Sequence, residues 1–143
     1  MASHGIKDRV AIVGHDFGGM YAALVASLDQ RVKGCVVIAS VPHFAEWYLP
    51  YWHPVASADE AAYRATLLPV DPVTLVANFD QPILLQFADT DRFVTASDVA
   101  EWQAAVPGAS ATTKTYQGDH RLGLDQARLD RDAFLAKVLG IAG

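Results

Sequence analysis

An aspartate flanked two residues away on each side by glycine stands in Val13-Gly14-His15-Asp16-Phe17-Gly18-Gly19, where an apolar run stops and an Ala/Leu/Met-rich segment begins. The spacing G-x-D-x-G describes a nucleophile elbow, a sharp strand-to-helix turn that holds one reactive side chain at its crest. Positions two before and two after the crest crowd together, which predicts a steric need for glycine at Gly14 and at Gly18. The Phe17 N–H opens the following helix, faces the same turn, and can form half of an oxyanion hole. Blander readings compete. An acid is favoured at the positive end of any helix, and G-x-D-x-G arises by chance in roughly 3% of chains this long. A phosphate cradle is opposed by the lack of the dinucleotide pattern G-x-G-x-x-G and by the negative charge of the chain.

A nucleophile at a crest needs a base, and the base needs an acid to hold it. Two later strand ends offer them. The run Ile83–Phe87 ends in Ala88-Asp89-Thr90-Asp91-Arg92-Phe93-Val94, and Thr112–Gln117 ends in Gly118-Asp119-His120-Arg121-Leu122. Asp91 is the candidate acid, with Asp89 competing for the role, and His120 is the candidate base. Singly each is an ordinary loop residue. In the order nucleophile, acid, histidine, each after a strand, they form a constellation. His15 reads as structural, beside the turn; His4, His43 and His53 are weaker candidates. The single cysteine, Cys35, lies in an apolar run and reads as a core residue.

These groups require an alternating scaffold. Apolar runs predict strands at Val10–Gly14, Gly34–Ser40 and Pro82–Ala88, buried on both faces, with a sheet-edge strand at Thr112–Gln117. Helical spacing predicts Phe17–Leu28, Ser57–Leu68, Ala96–Val106 and Asp125–Leu139, the last with Leu129, Phe134, Val138 and Leu139 inward. The fold class is therefore α/β: a mostly parallel sheet of about four strands, with helices on both faces. Between Pro42 and Pro54, the aromatic residues Phe44, Trp47, Tyr48, Tyr51 and Trp52 suggest a pocket wall or lid over the elbow. Any one ring is better explained by ordinary packing against the sheet.

The chain has 143 residues, 52% of them hydrophobic and 19% charged, with a formal net charge of −5. That suits one domain spanning 1–143 and argues against nucleic acid as a partner. No apolar run has membrane-span length, and no signal-peptide layout is present, so no membrane partner is expected and a cytoplasmic location is the default. The reading invokes no cofactor and no metal.

The sequence resembles the C-terminal half to two-thirds of an α/β-hydrolase, nearest the dienelactone-hydrolase-like branch. The matching stretches are the elbow, Val13–Gly19, the acid loop, Pro82–Val94, and Tyr116-Gln117-Gly118-Asp119-His120. The resemblance implies Asp16 as nucleophile, Asp91 as orienting acid, His120 as general base and Phe17 as an oxyanion-hole donor. It implies a substrate pocket walled by Trp47, Tyr48, Tyr51 and Trp52. Two departures are evident. The family has strands before the elbow strand, whose loops supply a second oxyanion donor, whereas here that strand begins near Val10. Most elbows of this branch hold serine or cysteine. Asp elbows belong to epoxide hydrolases and hydrolytic dehalogenases, although Phe17 and the short Val41–Gln81 stretch depart from that subclass. The expectation is thus a hydrolase of a small, largely apolar molecule with an ester, epoxide or carbon–halogen bond. The alternative is a non-catalytic piece or half of a split enzyme. Its exposed sheet edge would bind a second copy or a missing N-terminal half.

Overall fold

The computed structural model describes residues 9–108 and 110–141. Four strands, β1 (Val10–His15), β2 (Val32–Ile38), β3 (Ile83–Ala88) and β4 (Ala111–Tyr116), form one sheet in the order β1-β2-β3-β4, every pair parallel. The helices are α1 (Phe17–Leu28), α2 (Phe44–Trp52), α3 (Glu60–Leu67), α4 (Pro72–Val76), α5 (Ala96–Ala105) and α6 (Asp125–Leu139). Parallel pairing places all four C-terminal strand ends on one rim, where loops can converge. The predicted strands and the bounds of α1 and α6 agree closely with this.

The larger core joins α1, α4 and α5 to one face through Met20, Ala23, Val76 and the fully buried Trp102. Trp102 donates its indole N–H to the Ser40 carbonyl at 2.8 Å, satisfying the polar atom it buries. On the other face α6 covers Val36, Ile38 and Leu84 with Ala127, Phe134 and Leu135. Gln86 is buried there amid an apolar strand, and all its polar atoms have partners. Its amide donates to the Tyr116 hydroxyl and the Ala127 carbonyl, both at 2.8 Å, and its carbonyl accepts from Arg131 at 3.1 Å. This polar stitch, with Val138 seated on Gly34, fixes α6 to the sheet. Burial also pushes the Cys35 thiol up to about 12, in keeping with a core residue.

Several expectations need correction. The strand β1 is not buried on both faces: Val13 is 44% exposed, and Val10 and His15 are exposed too. An apolar edge strand has the same sequence as an apolar central one. Leu129 points outward, because the inward stripe of α6 runs through Ala127, Phe134 and Val138, about half a turn away. Ser57–Leu68 is a 3₁₀ turn followed by the shorter α3. The aromatic segment is itself a helix, α2, despite Pro50 within it, and α4 begins on Pro72.

The helix α2 is held at its start by a charged clamp. His43 donates from Nδ1 to Asp71 at 2.8 Å and pairs through Nε2 with Glu101 at 2.7 Å, while the other Asp71 oxygen accepts from the Phe44 N–H at 2.9 Å. Burial alone would lower the His43 pKa, but the bonds to Asp71 and Glu101 outweigh it, and the net shift is upward. A raised folded-state pKa adds stability below the ordinary histidine value and loses it as pH rises through the raised one. Thermal stability is therefore expected to fall as pH climbs past 6.5, and His43→Gln to flatten that slope in melts followed by circular dichroism.

At the turn between β1 and α1, the two glycines differ. A Cβ on Gly14 would lie 2.0 Å from the Gly18 carbonyl oxygen, whereas one on Gly18 meets nothing within 4 Å. The predicted steric need at Gly18 is thus not observed; the second crowded position is Gly19, where a Cβ would lie 2.7 Å from Ser40 Cβ. Gly14→Ala is expected to cost about 3 kcal/mol or more, since backbone must move. Gly18→Ala, inside the first turn of α1, is expected to stabilise by up to about 1 kcal/mol. Denaturant unfolding of both variants measures the contrast.

Candidate active site

Asp16 joins β1 to α1 with φ 57° and ψ −126°, a conformation that costs about 1–3 kcal/mol for a residue with a side chain. Its N–H donates to the Ile38 carbonyl at 2.8 Å, and its own carbonyl accepts from Gly19 at 2.9 Å, so the crest is bonded from both sides. The side chain is left 31% exposed. Phe17 is the first residue of α1, and its N–H has no acceptor within the helix.

Asp91 is sequestered, its side chain 1% exposed. One carboxylate oxygen accepts from the Phe93 and Val94 N–H groups at 2.8 and 3.2 Å; the other accepts from His120 Nδ1 at 2.8 Å. Asp89, the rival acid, instead accepts from the Gly118 N–H at 3.0 Å and joins the two loops. With its Nδ1 proton held by Asp91, a neutral His120 has its lone pair on Nε2. That atom lies 3.5 Å from the nearer Asp16 oxygen. This is too far for a hydrogen bond, and Nε2 is buried without a partner among the described residues.

The loop after β4 carries His120 back across the rim toward β1. Leu122, with φ 44°, is buried against Val36 and Ile38 and anchors the return. His15 completes it by donating from Nε2 to the His120 carbonyl at 2.8 Å. The sequence therefore locates Asp16, Asp91 and His120, and the fold brings the three together. It offered no sign of Leu122 as anchor.

The aromatic residues of α2 gather around Phe17. Trp47, Tyr48 and Trp52 lie with ring centroids 6.4, 5.9 and 5.7 Å from it, and Tyr51 packs on Trp47 at 4.6 Å. The Tyr48 hydroxyl bonds that of Tyr21 at 2.8 Å, and desolvation raises its pKa. None of the four lines the cavity beside His120, which is walled by Thr90, Arg92, Phe93, Asp119, His120 and Arg121. Phe93 links the two regions, 4.8 Å from the His120 ring and 6.4 Å from Trp47. Its place in the acid loop was the available sequence signal. His43 belongs to the clamp at α2, His53 is exposed at the end of that helix, and His4 lies outside the described residues.

No curated protein matches the sequence. Among solved structures, the 2,6-dihydroxy-pseudo-oxynicotine hydrolase superposes with a TM-score of 0.70 at 19% identity, over 91% of this chain and 40% of that one. The Pyrococcus furiosus esterase Pf2001 gives 0.69 at 12%, over 92% and 54%. A Klebsiella pneumoniae protein provisionally named a dienelactone hydrolase gives 0.64 at 16%, over 92% and 52%. At these identities the likeness is one of fold, and the chain spans about half the length of these proteins. The model of the alpha/beta hydrolase family matches residues 2–137, nearly the whole sequence, and the chain belongs to that family.

Proposed function

We propose that this chain is a hydrolase in which the Asp16 carboxylate attacks an electrophilic carbon of a small, largely apolar organic substrate. The observation that carries the reading is the strained crest at Asp16, whose oxygen faces His120 Nε2 at 3.5 Å while Nδ1 is bonded to buried Asp91. Attack on an ester carbonyl would give a reactive mixed anhydride. Attack on an sp³ carbon forms a stable alkyl ester as the carbon–halogen bond breaks and halide leaves, or as the epoxide ring opens to an alkoxide that takes a proton from solvent, and the reading leans that way. His120 Nε2 then takes a proton from water as it adds to the Asp16 ester carbonyl, and returns it to the alcohol oxygen as the tetrahedral carbon expels the product alcohol and the Asp16 carboxyl is restored. The Phe17 N–H stabilises the oxygen charge that develops, and Asp91 stabilises the imidazolium.

A second reading rests on the β1 edge, where Val10 and Val13 are exposed, as are Tyr21, Val25 and Leu28 of α1. A strand from a second copy or from a complementing polypeptide would cover it. Because Asp16 N–H bonds inward to Ile38, alternation turns the Val13 N–H outward. On this reading the chain forms a dimer or complex, and Val13→Pro disrupts it while sparing the β1–β2 ladder. Light scattering measures this; a monodisperse monomer at high concentration argues against self-pairing.

For the catalytic reading, intact-mass spectrometry after exposure to benzyl bromide, styrene oxide and p-nitrophenyl acetate is the test. Asp16→Asn is expected to abolish adduct and turnover. His120→Gln is expected to let the Asp16 adduct accumulate, with turnover lowered about 10³-fold or more. A folded wild-type chain that neither labels nor turns over any of the three would overturn the reading.

A further inference from the structure

We propose that His43 is a pH-sensitive latch, tying the start of α2 to α5 through Glu101 at lower pH and releasing the aromatic wall around Phe17 as pH rises. Its bearing on turnover rests on the reading of Asp16 and Phe17 as parts of the reacting site. Geometry carries the latch. Both ring nitrogens of His43 touch carboxylate oxygens, Nδ1 at 2.8 Å from Asp71 and Nε2 at 2.7 Å from Glu101. A neutral imidazole has one N–H, so both contacts are hydrogen bonds only in the cation. Once the proton leaves, a lone pair faces an anion, and one contact must open. The two carboxylates are unequal in this. The Asp71 side chain is 3% exposed and its other oxygen accepts the Phe44 N–H, so leaving it unpaired is costly. The Glu101 side chain is 44% exposed, and water replaces the histidine there. The bond that breaks is therefore the one between α2 and α5.

The surrounding charges act in the same direction. Glu46 of α2, Arg64 of α3 and Asp71 share with His43 the walls of a cavity of about 270 Å³. Burial, then repulsion from Asp98 and Glu101 of α5, raise the Glu46 pKa, while His43 and Arg64 lower it. The carboxylates of Glu46, Asp71, Asp98 and Glu101 thus have His43 and Arg64 as their cations, and a neutral His43 leaves Arg64 alone among them. Burial opposes the charge on His43, but its bonds to Asp71 and Glu101 carry the pKa upward. The cation therefore persists past 6.5 and is lost as pH climbs through the raised value. Apart from Asp71, which holds His43 and the Phe44 N–H, the remaining polar tie of α2 among the described residues is the exposed Tyr48–Tyr21 bond. Trp47 and Trp52 of this helix are among the rings that pack on Phe17, and Trp52 is already exposed. The segment that loosens is the wall of the elbow.

The tryptophans make the test direct, because Trp47 and Trp52 lie on α2 and Trp102 lies in the core. His53 follows Trp52, so the 143-residue chain is used with H53Q throughout, which removes that titration from the spectra. In nuclear magnetic resonance, the indole N–H signals of Trp47 and Trp52 are expected to shift with pH at a shared midpoint above 6.5, while that of Trp102 keeps its position. The α2 amides are expected to exchange about tenfold faster above the midpoint, after correction for the intrinsic pH dependence. Two variants at exposed Glu101 separate the latch from other titrations. E101A removes the acceptor, so both signals should hold the high-pH position at every pH. E101Q should keep the low-pH position, since its amide accepts from the cation and donates to the neutral ring. Signals that do not titrate, that titrate alike with and without either Glu101 substitution, or that move together with Trp102 would overturn the proposal. No substrate is used, so a failed latch leaves the Asp16 reading standing. A chain that switches yet labels with no electrophile refutes that reading alone.

Discussion

The width of the sheet is the constraint on which the site depends. Asp16 leaves β1 and His120 leaves β4, and these strands are the two opposite edges. With strands spaced about 4.8 Å apart, their ends are separated by about 14 Å, well beyond the reach of an imidazole. The chain closes this gap by folding the loop after β4 back along the rim, and a hydrophobic side chain holds it there. Leu122 accepts a left-handed backbone (φ 44°) in order to bury itself over β2. The cost of that conformation, about 1–3 kcal/mol, is of the same order as the gain from burying a leucine. The gain therefore has to be supplemented. The Gly118 contacts to Asp89 and Thr90, and the His15 bond to the His120 carbonyl, supply directional bonds that apolar burial lacks.

Strain collects on the same rim. Of the four non-glycine residues with positive φ among the described residues, Asp16, Ala39 and Leu122 follow strands β1, β2 and β4. Asp16 and Ala39 are neighbours through the β1–β2 ladder, and each is tied to the next strand by its N–H: Asp16 to Ile38, Ala39 to Gln86. The distortion at one strand end is thus braced by the next. That bracing passes inward to Gln86, whose buried amide is itself bonded to β4 and α6. The polar network at Gln86 and the strained geometry at Asp16 and Ala39 are parts of one mechanical chain.

Much of this was legible in the residues, for reasons that can be named. Parallel central strands are continuous apolar runs, and their C-terminal ends are where polar side chains stand out, so Asp16, Asp91 and His120 could be found by position. What stayed hidden was whatever depends on a third element. Asp89 and Asp91 are two residues apart in one loop, and only the return of His120 separates the rung that ties loops from the acid that meets the base. The β1 run has the composition of a buried strand, yet burial depends on neighbours that composition does not record. Pro50 disguised α2, although in the last turn of a nine-residue helix proline removes a single backbone bond and the helix ends two residues later. Arg92 gave no signal at all, since it reads as a solvated charge until its guanidinium lies over Phe93, the ring that meets His120.

Two carboxylates face one imidazole, and their environments set them apart. The oxygens of Asp91 are occupied by two backbone N–H groups and Nδ1, and its side chain is closed to solvent. Such a group can hold and stabilise a histidine but has no lone pair aimed outward. Asp16 has the opposite character: 31% exposed, lifted on a strained turn, and 3.5 Å from Nε2 instead of bonded to it. Were it a second clamp, contact at 2.8 Å on both sides would lock the imidazole as a cation between two anions and leave nothing to take a proton. The extra 0.7 Å at Asp16 preserves the asymmetry that the proposed pairing of nucleophile and base requires: one carboxylate engaged, the other open to an incoming carbon.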